Sequence, residues 1–164
     1  MRITKTILVL TVLLALSACS SKFRSYNGPE VTRVVVLKAE RKMYLFHNQD
    51  LLATHDIDLG FAPGGHKQFE GDCKTREGRY FIDRRNPNSS FHLSLGISYP
   101  NAQDIEVARR AGESPGGDIF IHGKAKPLEK RGPDWTAGCI SVSNREIEKI
   151  YAMVRDGTVI DIYP

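Results

Sequence analysis

Short runs of β-branched and aromatic residues, separated by turns, make up most of the sequence from Val31 onward. They include VTRVVVLKA, KMYLFHNQDLLATHDIDLG with a turn at residues 48–50, RYFIDRR, SFHLSLGI, DIFIHG and the closing TVIDIY. Such runs predict strands. The turns between them are too short for the helical crossovers that join parallel strands. The sequence therefore predicts a mainly β fold, an antiparallel sandwich or open barrel.

One or two short helices accompany these strands. The segment NAQDIEVARRAGES predicts a helix that ends near Gly112. After the last cysteine, Ser143 and Glu146 have the spacing of a capping box. The apolar residues that follow it share one helix face: Ile147, Ile150, Tyr151 and Val154. Gly157 lies past this run and is the predicted C-cap.

The size and composition of the chain fit one folded domain. Its 164 residues are 41% hydrophobic and 26% charged, which supports a core and excludes a largely disordered chain. Residues 1–18 hold Arg2 and Lys5 and no acid, so a chain beginning at Cys19 carries 21 basic and 19 acidic side chains. This small positive excess does not indicate a nucleic-acid-binding protein, and it permits an acidic polymer as the substrate.

The first 18 residues have the pattern of an export signal. Arg2 and Lys5 precede an apolar run, residues 7–16, which is shorter than the roughly 20 residues of a membrane-spanning helix. The sequence LSAC at residues 16–19 resembles the lipobox of bacterial lipoproteins. This resemblance implies cleavage before Cys19 and a lipid on its thiol, with an ordinary signal peptide as the alternative.

The predicted domain organisation follows from this pattern. Residues 1–18 are a signal peptide, residues 19–30 are the lipidated Cys19 with a tether, and residues 31–164 are the folded domain. In the lipoprotein resemblance, Ser20 after the cysteine favours the outer membrane. We therefore expect a periplasmic protein that contacts the membrane through its N-terminal lipid.

Cys73 and Cys139 remain in the predicted mature domain, and two roles are open for them. In an oxidising compartment they can form a disulfide. Alternatively, Cys139 is a nucleophile, which needs an adjacent base because a free thiol titrates at about 8.5. His122 is a candidate base, since the 17-residue separation contains a segment of loop composition. A buried cysteine and a hydrogen-bonded core histidine are the structural alternative.

Gly138 precedes the candidate nucleophile directly. Glycine lets the backbone approach a ligand closely. The amides of Gly138 and Cys139 are therefore candidates for an oxyanion hole. No metal site is predicted, because the histidines at positions 47, 55, 66, 92 and 122 are scattered and no pair has zinc-ligand spacing.

Several motifs, in order along the chain, resemble those of the L,D-transpeptidase catalytic domain, the YkuD family. IHG at residues 121–123, followed by TAGCISVSN at residues 136–144, is similar to the family signature of HG, a loop and S/T-x-G-C-I/V-R-x-x-N. Upstream, GHKQFEGDCKTREGRYFID is similar to G-x-K…G-D-x-x-T-P-x-G-x-Y/F-x-I, and SFHLSLGISYPN to the stretch that follows in one subgroup. The resemblance covers residues 31–164 and implies an L,D-transpeptidase-like β-sandwich or open barrel.

This resemblance implies catalytic roles for four residues. Cys139 is expected to form a thioester with a peptidoglycan stem peptide next to diaminopimelate, with His122 as its base. Gly123 is expected to orient the imidazole through its carbonyl, and Gly138 to share the oxyanion hole with Cys139. An amine would resolve the thioester in a transpeptidation. Water would do so in a hydrolase or amidase reaction, such as release of a peptidoglycan-linked lipoprotein. Neither reaction requires a cofactor.

Further residues are candidates for substrate binding. Thr136 matches the small hydroxyl residue of the motif, and Asn144 matches its last position, where it is expected to tie the turn to the helix start. Trp135 is either a pocket wall or plain packing. The basic residues near the motifs are candidates for a substrate carboxylate, with a solvated basic loop as the alternative: Lys67, Lys124, Lys126, Lys130 and Arg131.

Three positions depart from the family pattern. Ala137 stands where many members have a second histidine, so that side chain is not essential here. Arg76 replaces a proline, which we interpret as a loop change of little chemical weight. Ser141 replaces an arginine that can pair with a substrate carboxylate. The pattern DWTAGCISV looks more like a subgroup that includes enzymes cutting bonds at diaminopimelate. Hydrolysis thus stays open beside transpeptidation, and a catalytically dead peptidoglycan-binding protein is a third interpretation.

Overall fold

Eight strands form one mixed sheet in a computed structural model that describes residues 21–125 and 132–164. The strand order is β3-β2-β1-β8-β4-β5-β6-β7, and the sheet curls into a half-barrel. The strands are β1 (Arg33–Leu37), β2 (Lys42–His47), β3 (Asp50–Asp56), β4 (Gly78–Asn86), β5 (Ser94–Ile97), β6 (Phe120–His122), β7 (Ile140–Ser141) and β8 (Val159–Tyr163). The predicted signal peptide and Cys19 lie outside the described residues. The mainly β prediction is confirmed.

Alternation of buried and half-exposed residues explains why the first strands form a sheet with one face on the core. In β1, Val34 and Val36 are fully buried, while the alternate residues of the strand, such as Val35, are half-exposed on the other face. The predicted hairpin joins β2 and β3, and Asn48 adopts a positive φ of 53° at its turn, a conformation that asparagine tolerates.

Two of the seven strand pairings are parallel, which the sequence did not predict. β1 pairs with β8, and β6 pairs with β7, while the other five pairings are antiparallel. Parallel neighbours need long connections. The whole domain separates β1 from β8, and residues 123–139 separate β6 from β7. Short turns therefore predict antiparallel pairing only for strands that follow each other directly in the sequence.

Two helices form where the sequence predicted them. α1 (Ala102–Arg110) starts at a capping box made by Asn101 and Asp104, and Gly112 follows its end with a φ of 74°. α2 (Asn144–Met153) starts at the predicted box of Ser143 and Glu146, and its apolar face joins the core. The predicted C-cap at Gly157 is wrong. α2 ends at Met153 with an extended Val154, and Gly157 lies in the turn before β8.

The loop from residue 61 to residue 77 is fixed by a buried arginine. The Arg76 guanidinium is paired with the Asp104 carboxylate and donates to the Tyr80 hydroxyl at 2.5 Å and the Lys67 carbonyl at 2.6 Å. Tyr80 in turn donates to Asp104 at 2.8 Å. Arg76 thus joins the loop, β4 and α1, a larger structural role than its position in the motif indicated.

Within residues 21–125 and 132–164, no helix is long and apolar enough to cross a membrane. Membrane attachment through lipid on Cys19 stays a prediction from the sequence.

Replacing Arg76 with methionine should strongly destabilise the domain. The Asp104 side chain is only 1% exposed, so the substitution leaves a buried carboxylate without its cation. Breaking a buried pair in this way costs about 3–5 kcal/mol. The free energy of unfolding in urea measures the loss. Arg109→Met is the matched control, because Arg109 is 71% exposed in its pair with Glu106. Equal losses in the two variants would contradict this interpretation.

Candidate active site

The parallel pairing of β6 with β7 brings His122 and Cys139 to one edge of the sheet. Ile121 is opposite Ile140 and His122 is opposite Ser141, so Cys139 lies just before its strand where His122 ends its own. Both residues line a cavity of about 280 Å³. Its other lining residues are Asn86, Ser89, Ser90, Phe91, Ser94, Asp118 and Phe120. His122 and Cys139, 17 residues apart in the sequence, are therefore brought together in one cavity.

The surroundings of the Cys139 thiol do not ionise it by themselves. Its Sγ accepts a hydrogen bond from the Phe120 N–H at 3.4 Å and lies 3.5 Å from the Asp118 carbonyl. Burial raises the pKa of Cys139 and outweighs the Phe120 hydrogen bond and the Lys67 ammonium group, which lower it. The Asp118 carboxylate raises this pKa further. A nucleophilic Cys139 thus needs a base within reach.

His122 is held in an orientation suited to that task. It is buried, and its Nδ1 lies 2.7 Å from the Gly123 carbonyl, as the family resemblance implied. A carbonyl only accepts, so Nδ1 carries the proton and the neutral ring has Nε2 as its basic atom. The Phe91 ring packs on the imidazole with 4.5 Å between centroids, and Trp135 packs edge-on at 5.6 Å. Trp135 therefore packs against the histidine, but it is not among the residues that line the cavity.

Gly123 is clamped so that its carbonyl keeps this direction. Its N–H donates hydrogen bonds to the carbonyls of Phe91 at 3.1 Å and Leu93 at 3.3 Å. A Cβ at this position would lie 2.5 Å from the Asn144 Oδ1 and 2.9 Å from the Phe91 carbonyl, so only glycine fits. Asn144 also accepts the Lys124 N–H at 2.6 Å. Asn144 thus ties the segment after His122 to the start of α2.

The turn before Cys139 is organised by Thr136. The Thr136 hydroxyl donates to the Cys139 carbonyl at 2.7 Å and accepts the Gly138 N–H at 3.1 Å. Gly138 has a φ of 131°, and a Cβ there would lie 2.9 Å from the Lys74 carbonyl. Because the Gly138 N–H donates its hydrogen bond to the Thr136 hydroxyl, it is not directed at the position of an oxyanion. The Cys139 N–H has no acceptor among the described residues, which makes it the available amide.

Lys67 lies close to the site but in a buried ion pair. Its ammonium group is 2.9 Å from both the Asp72 carboxylate and the Phe69 carbonyl, and its side chain is 4% exposed. Burial acts to raise the pKa of Asp72, but the Gln68 N–H and the Lys67 ammonium group hold it below the ordinary value. Lys67 thus organises the loop beside Cys139, and its binding of a substrate carboxylate stays a prediction. The candidates Lys126, Lys130 and Arg131 lie outside the described residues.

Cys73 and Cys139 are both free thiols in this structure. The Cys73 Sγ lies 3.4 Å from the Gly71 carbonyl, while the Cys139 Sγ is directed at Phe120 and Asp118. The predicted alternative of a disulfide between them is therefore not formed here, and Cys139 shares its cavity with His122 instead. In the part of the chain that the structure describes, no group of three or more His, Cys, Asp or Glu side chains is placed to hold a metal ion.

Several cavity residues carry no signal in the sequence that marks them as part of the site. Phe91 resembles an ordinary core aromatic, and nothing in its spacing marks contact with His122. Ser94 pairs with His122 across β5 and β6, which only the strand register shows. Asp118 adopts a positive φ of 53° just before β6, and its side chain is 90% exposed beside the thiol.

The sequence matches the family model of the L,D-transpeptidase catalytic domain, YkuD, over residues 31–162. The chain belongs to the YkuD family. Comparison with curated protein sequences finds no match. The family assignment thus depends on the domain model, the motifs around the two site residues and the fold.

Solved structures agree with this YkuD assignment. The helical cell shape determining protein Pgp2 from Campylobacter jejuni is 26% identical, with a TM-score of 0.63 over 91% of this chain and 53% of that one. Bd1075 from Bdellovibrio bacteriovorus is 24% identical, with a TM-score of 0.60 over 86% and 50%. L,D-transpeptidase 1 from Mycobacterium tuberculosis is 14% identical, with a TM-score of 0.52 over 80% and 60%. The chain spans about half the length of the first two.

Ser141 marks where this YkuD domain departs from the family pattern. It is fully buried, its backbone pairs with Asp58, and its Oγ has no partner among the described residues. The guanidinium group that the motif places two residues after the cysteine is therefore missing, and a small buried side chain takes its position.

The pH dependence of Cys139 alkylation should report the His122 base. In His122→Ala, burial leaves the Cys139 pKa above the range of an exposed cysteine, so iodoacetamide should react slowly at pH 7 and faster as the pH rises past that range. In the wild type, proton transfer to Nε2 should sustain reaction near neutrality. The rate is measured by mass spectrometry of the Cys139 peptide. Superimposable pH profiles for the two proteins would contradict the assignment of His122 as the base.

Proposed function

We propose that this protein is a cysteine acyltransferase of peptidoglycan, an L,D-transpeptidase in activity as well as in family. The observation that carries the proposal is the shared cavity of Cys139 and His122, with the imidazole oriented by the Gly123 carbonyl. The substrate is a stem peptide, and the reacting carbonyl lies next to diaminopimelate. This substrate class comes from the family, to which the chain belongs.

The reaction uses residues of this chain alone. His122 Nε2 takes the Cys139 proton as Sγ attacks the carbonyl carbon, and the Cys139 N–H donates to the developing oxyanion. The C–N bond then breaks, the leaving amine takes the proton from His122, and a thioester remains. An acceptor amine, deprotonated by His122, attacks the thioester, and the thiolate leaves with recovery of its proton. The product is a crosslink or an exchanged D-amino acid.

Hydrolysis of the same thioester is the second candidate, and Ser141 favours it. The arginine that could bind an acceptor carboxylate is replaced by a small buried side chain. Water then competes better with an amine, and the outcome is a hydrolase or amidase that can release a peptidoglycan-linked lipoprotein. The similarity to Pgp2, whose structure is described as that of a helical cell shape determining protein, supports a role in cell shape. A dead binding protein is the third candidate, and the intact pair of His122 and Cys139 argues against it.

We further propose that the mature protein is anchored in the outer membrane and faces the periplasm. The export signal and the LSAC sequence before residue 20 support this localisation. The described tether residues begin at Ser21, so the lipid on Cys19 is proposed from the sequence.

Incubation of the full-length protein with diaminopimelate-type sacculi tests the proposed activity. Some sacculi should carry bound lipoprotein, and products are identified by mass spectrometry. We expect 3–3 crosslinks or exchanged D-amino acids, and we expect Cys139→Ala to lose them, because no thioester can form. Released lipoprotein or shortened stems without new crosslinks would replace the transpeptidase proposal with the hydrolase. Identical products from wild type and Cys139→Ala would overturn both.

Lipid attachment has a separate test. Cys19→Ala should lose the mass of the acyl groups and move from the membrane fraction to the soluble periplasmic fraction. Ser20→Ala is the matched control, since it leaves the thiol in place. If Cys19→Ala keeps the mature mass and the membrane fractionation of the wild type, the lipoprotein proposal is wrong.

A further inference from the structure

We propose that Lys22, nine residues before the folded domain begins, is a positioning residue of the active site. Its ammonium group holds the loop of residues 87–92 against His122, so that the segment of residues 21–30 is part of the catalytic apparatus. The proposal goes beyond the family assignment, whose match begins only at residue 31. It depends on the proposed roles of Cys139 and His122.

The Lys22 ammonium group bridges the two ends of the 87–92 loop. Its Nζ donates to the Pro87 carbonyl at 2.6 Å and to the His92 carbonyl at 2.9 Å. This loop joins β4 to β5 and has no ladder hydrogen bonds of its own. A cation that binds both ends closes the loop as a clamp would. Hydrogen bonds from a charged donor are the stronger kind.

The clamped loop forms one wall of the catalytic cavity. Ser89, Ser90 and Phe91 all line it together with Cys139 and His122. Every residue between the two carbonyls that Lys22 binds, apart from Asn88, is thus part of the cavity wall. A shift of the loop therefore changes the cavity directly.

Phe91 transmits the position of the loop to His122 by two contacts. Its ring packs on the imidazole at 4.5 Å, and its carbonyl accepts the Gly123 N–H at 3.1 Å. The Gly123 carbonyl is the group that orients the His122 Nδ1. Displacement of Phe91 would therefore disturb both the packing and the hydrogen bond that fix the basic Nε2 atom.

A second attachment holds the same segment in register. Arg24 lies 2.7 Å from the Glu148 carboxylate, and the His92 Nε2 lies 2.9 Å from the other oxygen of that carboxylate. Glu148 belongs to α2 and is 11% exposed at its side chain, so one buried carboxylate joins the segment, the helix and the loop. His92 also adopts a positive φ of 75°, a strained conformation that persists only where its surroundings hold it.

Alkylation of Cys139 in the full-length protein tests the proposal without any peptidoglycan substrate. The rate with iodoacetamide is measured against pH by mass spectrometry of the Cys139 peptide. Lys22→Met keeps the aliphatic stem and removes the donor, and we expect it to lose roughly tenfold in rate near neutral pH, because a small misplacement of a catalytic group has effects of this order or larger. Its pH profile should move toward that of His122→Ala.

Two further variants separate positioning from general destabilisation. Lys22→Arg retains donors for two carbonyls and should restore most of the rate. Lys149→Met makes the same substitution at an exposed position of α2 and should match the wild type. A Lys22→Met profile equal to that of Lys149→Met would overturn the proposal, as would a loss of rate that Lys22→Arg does not recover. Because this readout needs no turnover, failure of the sacculus assay would leave its result unaffected.

Discussion

The two-residue parallel pairing between β6 and β7 is the constraint on which the active site depends. Because the two strands are parallel, their register decides which residues lie at the same edge. His122, the last residue of β6, is opposite Ser141, and Cys139 directly precedes β7, so both reach one cavity. A shift of the pairing by one residue would reverse the facing of His122, since side chains alternate across a strand. Hydrogen bonds hold the register at both ends. The Lys124 N–H donates to the Asn144 side chain, and the Thr136 hydroxyl donates to the Cys139 carbonyl.

Buried cations, each paired with a carboxylate, hold the long loop that flanks this site. Lys38 is paired with Glu77, Lys67 with Asp72 and Arg76 with Asp104. Each pair also binds loop carbonyls, which satisfies backbone groups that have no strand partner. The loop of residues 61–77 is therefore held by specific buried contacts, although its composition is that of a surface loop. Of the three cations, only Lys67 is among those that influence the Cys139 pKa.

The sequence predicted those parts of the molecule whose signals are local. The capping box of Ser143 and Glu146 predicted the start of α2, and alternation predicted the strands. The segment of α1 was also predicted, but its capping box of Asn101 and Asp104 was found only in the structure. The same local reasoning failed at Gly157, because Val154 leaves the helical conformation first and its side chain is buried in the core. The family motifs identified Cys139 and His122, but their environment was not predictable. Which side chains share a cavity depends on strand register and on loops that meet only in space.

For Arg76 and the Gly138 amide, the motif predicted one role and the contacts in the structure show another. A motif comparison treats Arg76 as a substitution for proline, yet its guanidinium group has found partners on β4 and α1 that are distant in sequence. The Gly138 amide matches a catalytic position of the motif, yet its N–H already donates a hydrogen bond to the hydroxyl of Thr136, two residues away. A motif states which residue types occur together, and hydrogen-bond partners decide what each one does.

The N-terminal segment connects this geometry to the proposed anchor. Three peptide units separate Cys19 from Lys22, and an extended chain spans at most about 3.6 Å per residue. A lipid on Cys19 would therefore keep the Lys22 backbone within roughly 11 Å of the lipid-bearing residue, and the 87–92 loop one lysine side chain beyond it. The same lysine that clamps the cavity wall would then set the distance between the nucleophile and the membrane. An enzyme anchored in this way would reach only the peptidoglycan that lies close to the membrane.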